Sequence, residues 1–340
     1  MSIPVFSSYI RRKDMDTVLN CLATDSVGLG DYLERFQKTA KESLGYDFGF
    51  AVRSPDVALG LALDSLALSE GDAIALPALA PSYYASVITA RKLQGVFVDT
   101  KPDSAEPDFD LIGSLEPKPK ALILYDALGI LPDPESVASS GLPVIEDMST
   151  SLGAYRGETR AGSLGRVALL GLEHDSIVTA GGGALLLAFG RREGTVLRNL
   201  GEGLVPEIRM TDYNAALGLA QLRDMESAIA KRRDLAVSFA QSLARTRHKL
   251  VSQGGEGEPG YWALPVSIAS SVKDVEAYAK KKEVDCLLAF EGSLIAKGFV
   301  PEGSCPNARA MSLRCLLFPL HQRIGAQSAQ KIAKVLATLP

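Results

Sequence analysis

The chain has 340 residues, 46% of them hydrophobic and 22% charged, with a formal net charge of −4, a balance that suits a globular protein with a large core and two domains. Acids and bases are interspersed without a basic run, which argues against a nucleic-acid or anionic-membrane surface, and no apolar run approaches the roughly 20 residues of a membrane span. Four cysteines (Cys21, Cys286, Cys305, Cys315) without C-x-x-C spacing and three histidines (His174, His248, His321) argue against a zinc site or a disulfide framework. The first residues carry their basic pair after the apolar ones, so no signal peptide is expected and the cytoplasm is the expected compartment.

Taken in order, apolar residues at helical spacing (Met15, Val18, Leu19, Leu22) predict a helix over residues 14–22. Gly28 and Gly30 then punctuate before a second helix over 32–44. A strand is predicted over Phe48–Val52, followed by a helix over 57–68 with Ser54 as its N-cap and Pro55 at its first position. Strand 73–76, helix 82–94, strand 96–99, a connection through 108–115, and strands 121–125, 144–145 and 167–172 follow. Continuously apolar strands separated by helices predict an α/β fold with a mostly parallel sheet covered on both faces. Residues 211–247 read as one long helical pattern that contains the domain boundary, giving a large domain over 1–235 and a smaller α+β domain over 236–340. In the smaller domain a Gly-rich link (254–260) precedes strand 261–266 and helices 272–282 and 328–336.

One stretch organises the rest. A short apolar strand, Pro143-Val144-Ile145, ends on Glu146 and Asp147 and opens the segment VIEDMSTSLGA (144–154). Further on, LGLEHDSIVTAGGG (170–183) closes on three glycines. PAL (77–79), VFVD (96–99), GSLG (162–165), RMTD (209–212), GLAQL (218–222) and FPLH (318–321) complete an ordered series. With these motifs the chain resembles, over nearly its whole length, the DegT/StrS family of pyridoxal-phosphate-dependent sugar aminotransferases. The resemblance implies the aspartate-aminotransferase type of fold and active sites built across a two-fold axis, so a homodimer is expected. The apolar residues of 209–222 (Met210, Ala215, Ala216, Leu217, Leu219) fit a covered surface.

The resemblance also assigns roles by position. The cofactor lysine of the family falls on Asp175, and no lysine occurs from residue 121 to 230. Asp147 stands where the family keeps the carboxylate that pairs with the pyridine nitrogen, at the carboxyl end of a strand. The phosphate cup, S-G-T at a helix N-terminus, falls on Ser54, Pro55 and Asp56; Pro55 removes an N–H donor and Asp56 brings a negative charge of its own. A family serine falls on Leu170, and an asparagine lent by the neighbouring subunit falls on Glu207, two residues before Arg209. The stacking aromatic falls on Pro81, with Tyr83 or Tyr84 able to replace it through a shifted loop. A glutamine or histidine falls on Thr150, and Asp126 replaces a common histidine.

These replacements lead to the expectation of a degenerate family member that binds no cofactor and cannot transaminate. It would act by binding a nucleotide sugar or by partnering an active aminotransferase of surface-polysaccharide synthesis. The alternative is an aminotransferase or dehydratase that holds pyridoxal or pyridoxamine phosphate noncovalently, with His174 as base. A third reading gathers Asp126, Asp147 and Asp175, with Glu173, into a carboxylate cluster for Mg²⁺ or Mn²⁺.

Overall fold

Fourteen strands and eleven α-helices make up this α/β protein, in a computed structural model that describes residues 2–25 and 27–340. In chain order the strands are β1 (Phe48–Val52), β2 (Ala73–Pro77), β3 (Gln94–Val98), β4 (Pro119–Tyr125), β5 (Val144–Asp147), β6 (Tyr155–Arg156), β7 (Thr159–Arg160), β8 (Val167–Gly171) and β9 (Ala184–Ala188). They continue with β10 (Lys249–Leu250), β11 (Gly257–Glu258), β12 (Leu264–Ser267), β13 (Leu287–Leu288) and β14 (Cys315–Phe318). The α-helices are α1 (Arg12–Ala23), α2 (Asp31–Leu44), α3 (Pro55–Asp64), α4 (Tyr83–Ala90), α5 (Pro134–Ser139), α6 (Arg191–Glu202), α7 (Asp212–Leu222), α8 (Met225–Leu243), α9 (Val272–Lys281), α10 (Pro306–Arg314) and α11 (Ala326–Leu336). No helix among the described residues is long and apolar enough to cross a membrane.

The main sheet has the order β1-β9-β8-β5-β4-β2-β3. β3, β2, β4, β5 and β8 run parallel, while β9 pairs antiparallel with both β8 and β1. The chain goes from β2 outward to β3 and then returns to β4 on the other side of β2, so the order reverses there. Side chains at the carboxyl ends of such strands open into a crevice at that reversal. β2, β5, β8 and β9 are buried at every residue, which is why they read as unbroken apolar runs.

Helix ends differ from the sequence reading for identifiable reasons. α4 stops at Ala90 rather than running on to residue 94, because Lys92 adopts a left-handed conformation (φ 54°) and Gln94 already belongs to β3. α3 ends at Asp64 ahead of a turn in which Ala67 has φ 50°. The single pattern over 211–247 is two helices, α7 and α8, parted at Arg223 and Asp224. Asp212 on α7 accepts the Leu33 N–H at 2.8 Å and so caps α2 from across the fold, satisfying one of the open donors of its first turn. α6, β9 and the β6–β7 hairpin were missed from the sequence; the glycines at 181–183 that precede β9 form the turn from β8. Gly183 has φ 108°, and a Cβ there would lie 2.3 Å from the Met210 methyl and 3.1 Å from the Val52 carbonyl, so no larger residue fits.

The second sheet, β10-β12-β14-β13, draws all its strands from residues beyond 248 and packs on α8, α9 and α11 around Phe239, Val266, Phe318 and Ile332. The chain's beginning joins this part: Ile3 bridges Val284, and the Pro4 carbonyl lies 3.0 Å from Nε2 of His321. Arg232 of α8 is buried with no carboxylate partner among the described residues and donates to the carbonyls of Tyr261, Trp262 and Leu320, fixing the entry to β12. Gly260 and Gly129 close the seam between the two parts, with the Gly260 N–H donating to the Gly129 carbonyl at 2.8 Å.

Candidate functional site

A cavity of about 200 Å³ lies at the carboxyl ends of β4, β5 and β8, lined by Tyr83, Tyr125, Asp147, Ser149, Thr150 and Trp262, with Pro55, Pro81, Gly171, Glu173, Asp175 and Ser176 completing it. Pro55, Tyr83 and Glu173 also line a neighbouring groove of about 880 Å³ between α3 and α4, so the cavity opens onto that groove.

Asp147 is buried at the end of β5, and its carboxylate is fully engaged by protein donors. The Tyr84 hydroxyl donates to Oδ2 at 2.6 Å and that of Tyr83 at 3.3 Å, while the Ser149 N–H (3.0 Å) and hydroxyl take Oδ1. Burial raises the pKa of Asp147, and the donors from Ser149 and Tyr84 oppose that shift. Both tyrosine hydroxyls are pushed well up, by burial first and by the Asp147 charge second. The loop that delivers them is pinned: Leu294 and Ile295 donate to the carbonyls of Ala80 and Ala78, and the Ser82 N–H donates to that of Gly292. Tyr83 lines the cavity beside Pro81, whereas Tyr84 is fully buried outside its lining.

Below the cavity lies a second acid pair. Asp126 is buried at the end of β4, accepts the Ser151 hydroxyl at 2.6 Å on Oδ2, and among the described residues presents Oδ1 to no N–H or hydroxyl donor. Its carboxyl pairs with Glu146, which itself accepts the N–H groups of Gly162 (2.6 Å), Leu164 (2.7 Å) and Gly165 (3.0 Å). Two carboxyls in contact in a dry site must share a proton. Burial drives both pKa values upward, and the three backbone donors oppose that rise at Glu146. Thr150 ties this layer to the cavity: its hydroxyl donates to the Asp126 carbonyl and accepts the Gly129 N–H.

The other residues singled out from the sequence divide. Asp175 lines the cavity, half-buried, and its carbonyl accepts the Trp262 indole N–H at 3.0 Å. His174 does not line the cavity: it is exposed, and only its carbonyl is fixed, by the Ser8 hydroxyl at 2.7 Å. Exposed and outside the cavity lining, it is not placed as a base over the cavity. Leu170 is also misplaced by the sequence reading. It packs in the core on the opposite face of the sheet with Phe36 and Met210, and it is the next residue, Gly171, that lines the cavity and donates to the Ser149 hydroxyl at 2.7 Å. Period-two alternation along β8 explains the swap.

At the start of α3, Pro55 lines the cavity, while Asp56 is exposed at its edge. Ser54 is the N-cap residue, but its hydroxyl donates to the Asp56 carboxylate instead of receiving a helix N–H, so the cap bond expected there is not made. Glu207 is exposed on a 3₁₀ turn, and Arg209 donates to the Gly201 carbonyl beside Lys41 and Arg198 in a separate hollow of about 470 Å³. Within one chain neither reaches the cavity. The metal reading is not met either: among the described residues no three Asp, Glu, His or Cys side chains are grouped to hold an ion.

Five cavity residues escaped the sequence reading as site residues: Tyr125, Ser149, Gly171, Ser176 and Trp262. Trp262 is the chain's sole tryptophan and follows a Gly-rich link, a signal available in the sequence. Its ring is backed by Phe6, centroid to centroid 4.7 Å, so the chain's first residues help to roof the cavity.

The aminotransferase model DegT/DnrJ/EryC1/StrS matches residues 8–337. The chain belongs to this family. Among curated relatives, GDP-perosamine synthase of Caulobacter vibrioides is 28% identical over 304 residues, spanning 81% of this chain and 82% of the relative. The fold is shared with the aminotransferase TlmJ from Streptoalloteichus hindustanus (TM-score 0.89, 22% identity, 98% of each chain). It is shared too with E. coli GDP-4-keto-6-deoxy-D-mannose-3-dehydratase, solved with bound hydrated pyridoxal phosphate (TM-score 0.87, 18% identity, 99% of this chain and 100% of that one). Family members are nucleotide-sugar enzymes of the pyridoxal-phosphate-dependent class, so the observed cavity is the place to test for that cofactor.

Proposed function

We propose that this family member has lost lysine-dependent transamination and uses the cavity to bind rather than to transform through pyridoxal phosphate. The observation that carries the reading is the state of Asp147. Both its oxygens are satisfied by Tyr83, Tyr84 and Ser149. A pyridine nitrogen brought to Oδ2 would have to displace a 2.6 Å hydroxyl that is itself wholly buried.

The rest of the lining fits the cofactor no better. Its reactive aldehyde calls for an amine, and the position assigned to the lysine carries Asp175. Its phosphate calls for free N–H donors and cations, whereas the near helix begins with Pro55, which has no N–H, and with Asp56, whose carboxylate already holds the Ser54 hydroxyl. At a separation near 4 Å, a phosphate charge and that carboxylate repel by about 4 kcal/mol at the effective dielectric of a protein surface. No step through the cofactor is therefore derived.

In this reading Asp147 is a structural anchor that orients Tyr83 and Tyr84, Trp262 and Phe6 exclude water from above, and Asp175 is the charge presented to a ligand. Glu207 and Arg209 belong to the surface toward a second copy, and the protein works as a cytoplasmic homodimer, its two domains meeting within α8. The ligand class carried over from the family is a nucleotide sugar, lodged along the groove between α3 and α4, and an active aminotransferase is the partner such a binder would serve. A visible absorbance spectrum, recorded on purified protein and again with added pyridoxal phosphate, tests the reading. No protein-bound chromophore is expected in either sample. A yellow species that survives gel filtration overturns it.

A further inference from the structure

Behind the segment 147–155 lies a further hollow of about 300 Å³. Asp147, Ser149 and Thr150 of that segment line the cavity described above, whereas Met148, Leu152, Ala154 and Tyr155 line this one, and none of the described residues lines both. The other walls come from the end of α2, the β6–β7 hairpin, the residue after β9 and the first turns of α8. Aromatic rings meet here: Tyr46 and Phe189 stack with 4.1 Å between centroids and 25° between planes. The Tyr46 hydroxyl is spent on the Gly162 carbonyl at 2.9 Å, so the polar end of this buried side chain is already satisfied. Met148 and Met225 add thioethers, which adapt to the shape of what they touch. Apolar surface nonetheless stays open at the rim, with Phe189 36% and Tyr155 37% exposed. A concave, mostly apolar lining with a few polar groups is the usual make-up of a small-molecule site.

Those polar groups are unequal. Glu226 stands in the first turn of α8, where the positive end of that helix holds its charge. Arg160 lies over the end of α2, one Nη atom 3.8 Å from where a Cβ would sit on Gly45, the left-handed residue that closes the helix. Burial and then the Glu146 charge push the Tyr46 hydroxyl up, and Arg160 pulls it down, so the cation is felt at the aromatic pair. The carbonyl end of α2 favours a cation there, yet among the described residues no carboxylate pairs with Arg160 and no acceptor takes its guanidinium N–H groups. An arginine with its donors unspent at the mouth of an apolar hollow is complementary to a carboxylate, whose two oxygens match the guanidinium fork.

We infer that this hollow is a second ligand site, for a small carboxylate with an apolar body, Arg160 taking the carboxylate and Tyr46, Phe189, Met148 and Met225 taking the body. The site stands whatever occupies the cavity at the carboxyl ends of the strands. A space of about 300 Å³ equals roughly ten liquid waters, room for a single ring or a short chain bearing a carboxylate but not for a nucleotide. Aromatic and aliphatic acids share this chemistry, and experiment separates them.

The purified full chain is titrated at neutral pH with 3-phenylpropionate, hexanoate, 3-phenylpropionamide and acetate, and binding is read by calorimetry and saturation-transfer NMR. Saturable binding of the first two is expected. The amide, which lacks the charge, and acetate, which lacks the body, should each bind about tenfold more weakly or worse. The tighter of the two acids tells whether the body is aromatic or aliphatic. Arg160→Gln should weaken binding about tenfold or more, and Arg160→Lys should keep part of it, a point charge without the fork. Ser43→Trp, at an exposed position of the lining, should fill the hollow and block both acids. Residues 43 and 160 are exposed, so both variants should melt like the parent. The comparison of acid with amide needs no variant at all. No saturation by either acid up to about 10 mM, equal binding of the amide, or undiminished binding by Arg160→Gln or by Ser43→Trp overturns the inference.

Discussion

Tyr84→Phe isolates the contact on which the reading of Asp147 depends. The substitution removes one oxygen and leaves the ring, so it opens no methyl-sized cavity, and Tyr84 is fully buried, so water cannot replace the lost donor easily. The bond removed is 2.6 Å long and ends on a buried carboxylate, the class worth about 1.5–3 kcal/mol. Tyr83 at 3.3 Å remains on the same oxygen and Ser149 on the other, which places the expected loss near the middle, about 2 kcal/mol. Tyr83→Phe should cost less than half of that, because its bond is longer and its side chain is only partly buried. Urea unfolding followed by Trp262 fluorescence measures both, with the midpoint falling at constant slope. A double cycle with Asp147→Asn should show the tyrosine's contribution shrinking by about 1 kcal/mol or more. A loss under about 0.5 kcal/mol for Tyr84→Phe, or full additivity with Asp147→Asn, would refute the account of Asp147 as an internally satisfied carboxylate.

Further outcomes follow from other parts of the fold. The Asp126–Glu146 pair has folded pKa values above those of free carboxyls, Glu146 reaching about 7; the folded state therefore holds the extra proton, and the stability it contributes is complete below the unfolded pKa near 4 and is lost as pH rises toward 7. Asp126→Asn should flatten that decline in thermal-melt profiles. His321 contributes the opposite slope: burial lowers its pKa to about 4, so stability is present above the unfolded value of about 6.5 and falls between there and pH 4, and His321→Asn should remove that fall. Gly260→Ala places a Cβ 2.6 Å from the Ser151 Cα and should cost about 1–3 kcal/mol, whereas Gly254→Ala, whose nearest neighbour is 3.9 Å away, should change stability little. Sedimentation at micromolar concentration should report a dimer, and a stable monomer would contradict that expectation.

Legibility varied with the kind of signal. β1 was readable residue for residue, and the parallel core from β2 to β8 was readable as apolar runs, because strands covered on both faces leave no polar positions to confuse the pattern. α6 was hidden by its polar composition, since only Gly194 and Leu197 are buried on it. The site was legible where a residue is fixed by its strand end, as with Asp147. It was illegible where two parts of the chain meet: Trp262 reaches Asp175 across 87 positions, and no local pattern encodes that distance. Leu170 and His174 failed for a different reason. Motif counting supplies a position along the chain but not the face of the strand or the direction of the turn, and neither residue lines the cavity that its neighbour lines.

The most direct measurement of the central claim is borohydride reduction of the purified protein, with and without added pyridoxal phosphate, followed by peptide mass mapping. The account predicts no pyridoxyl adduct on any cavity-facing segment, and in particular none between residues 121 and 230, where the chain has no lysine. A stoichiometric adduct on one lysine, Lys297 for example, would contradict it, because it would mean that an amine from elsewhere reaches the cavity and that Tyr83 and Tyr84 yield Asp147 to the cofactor.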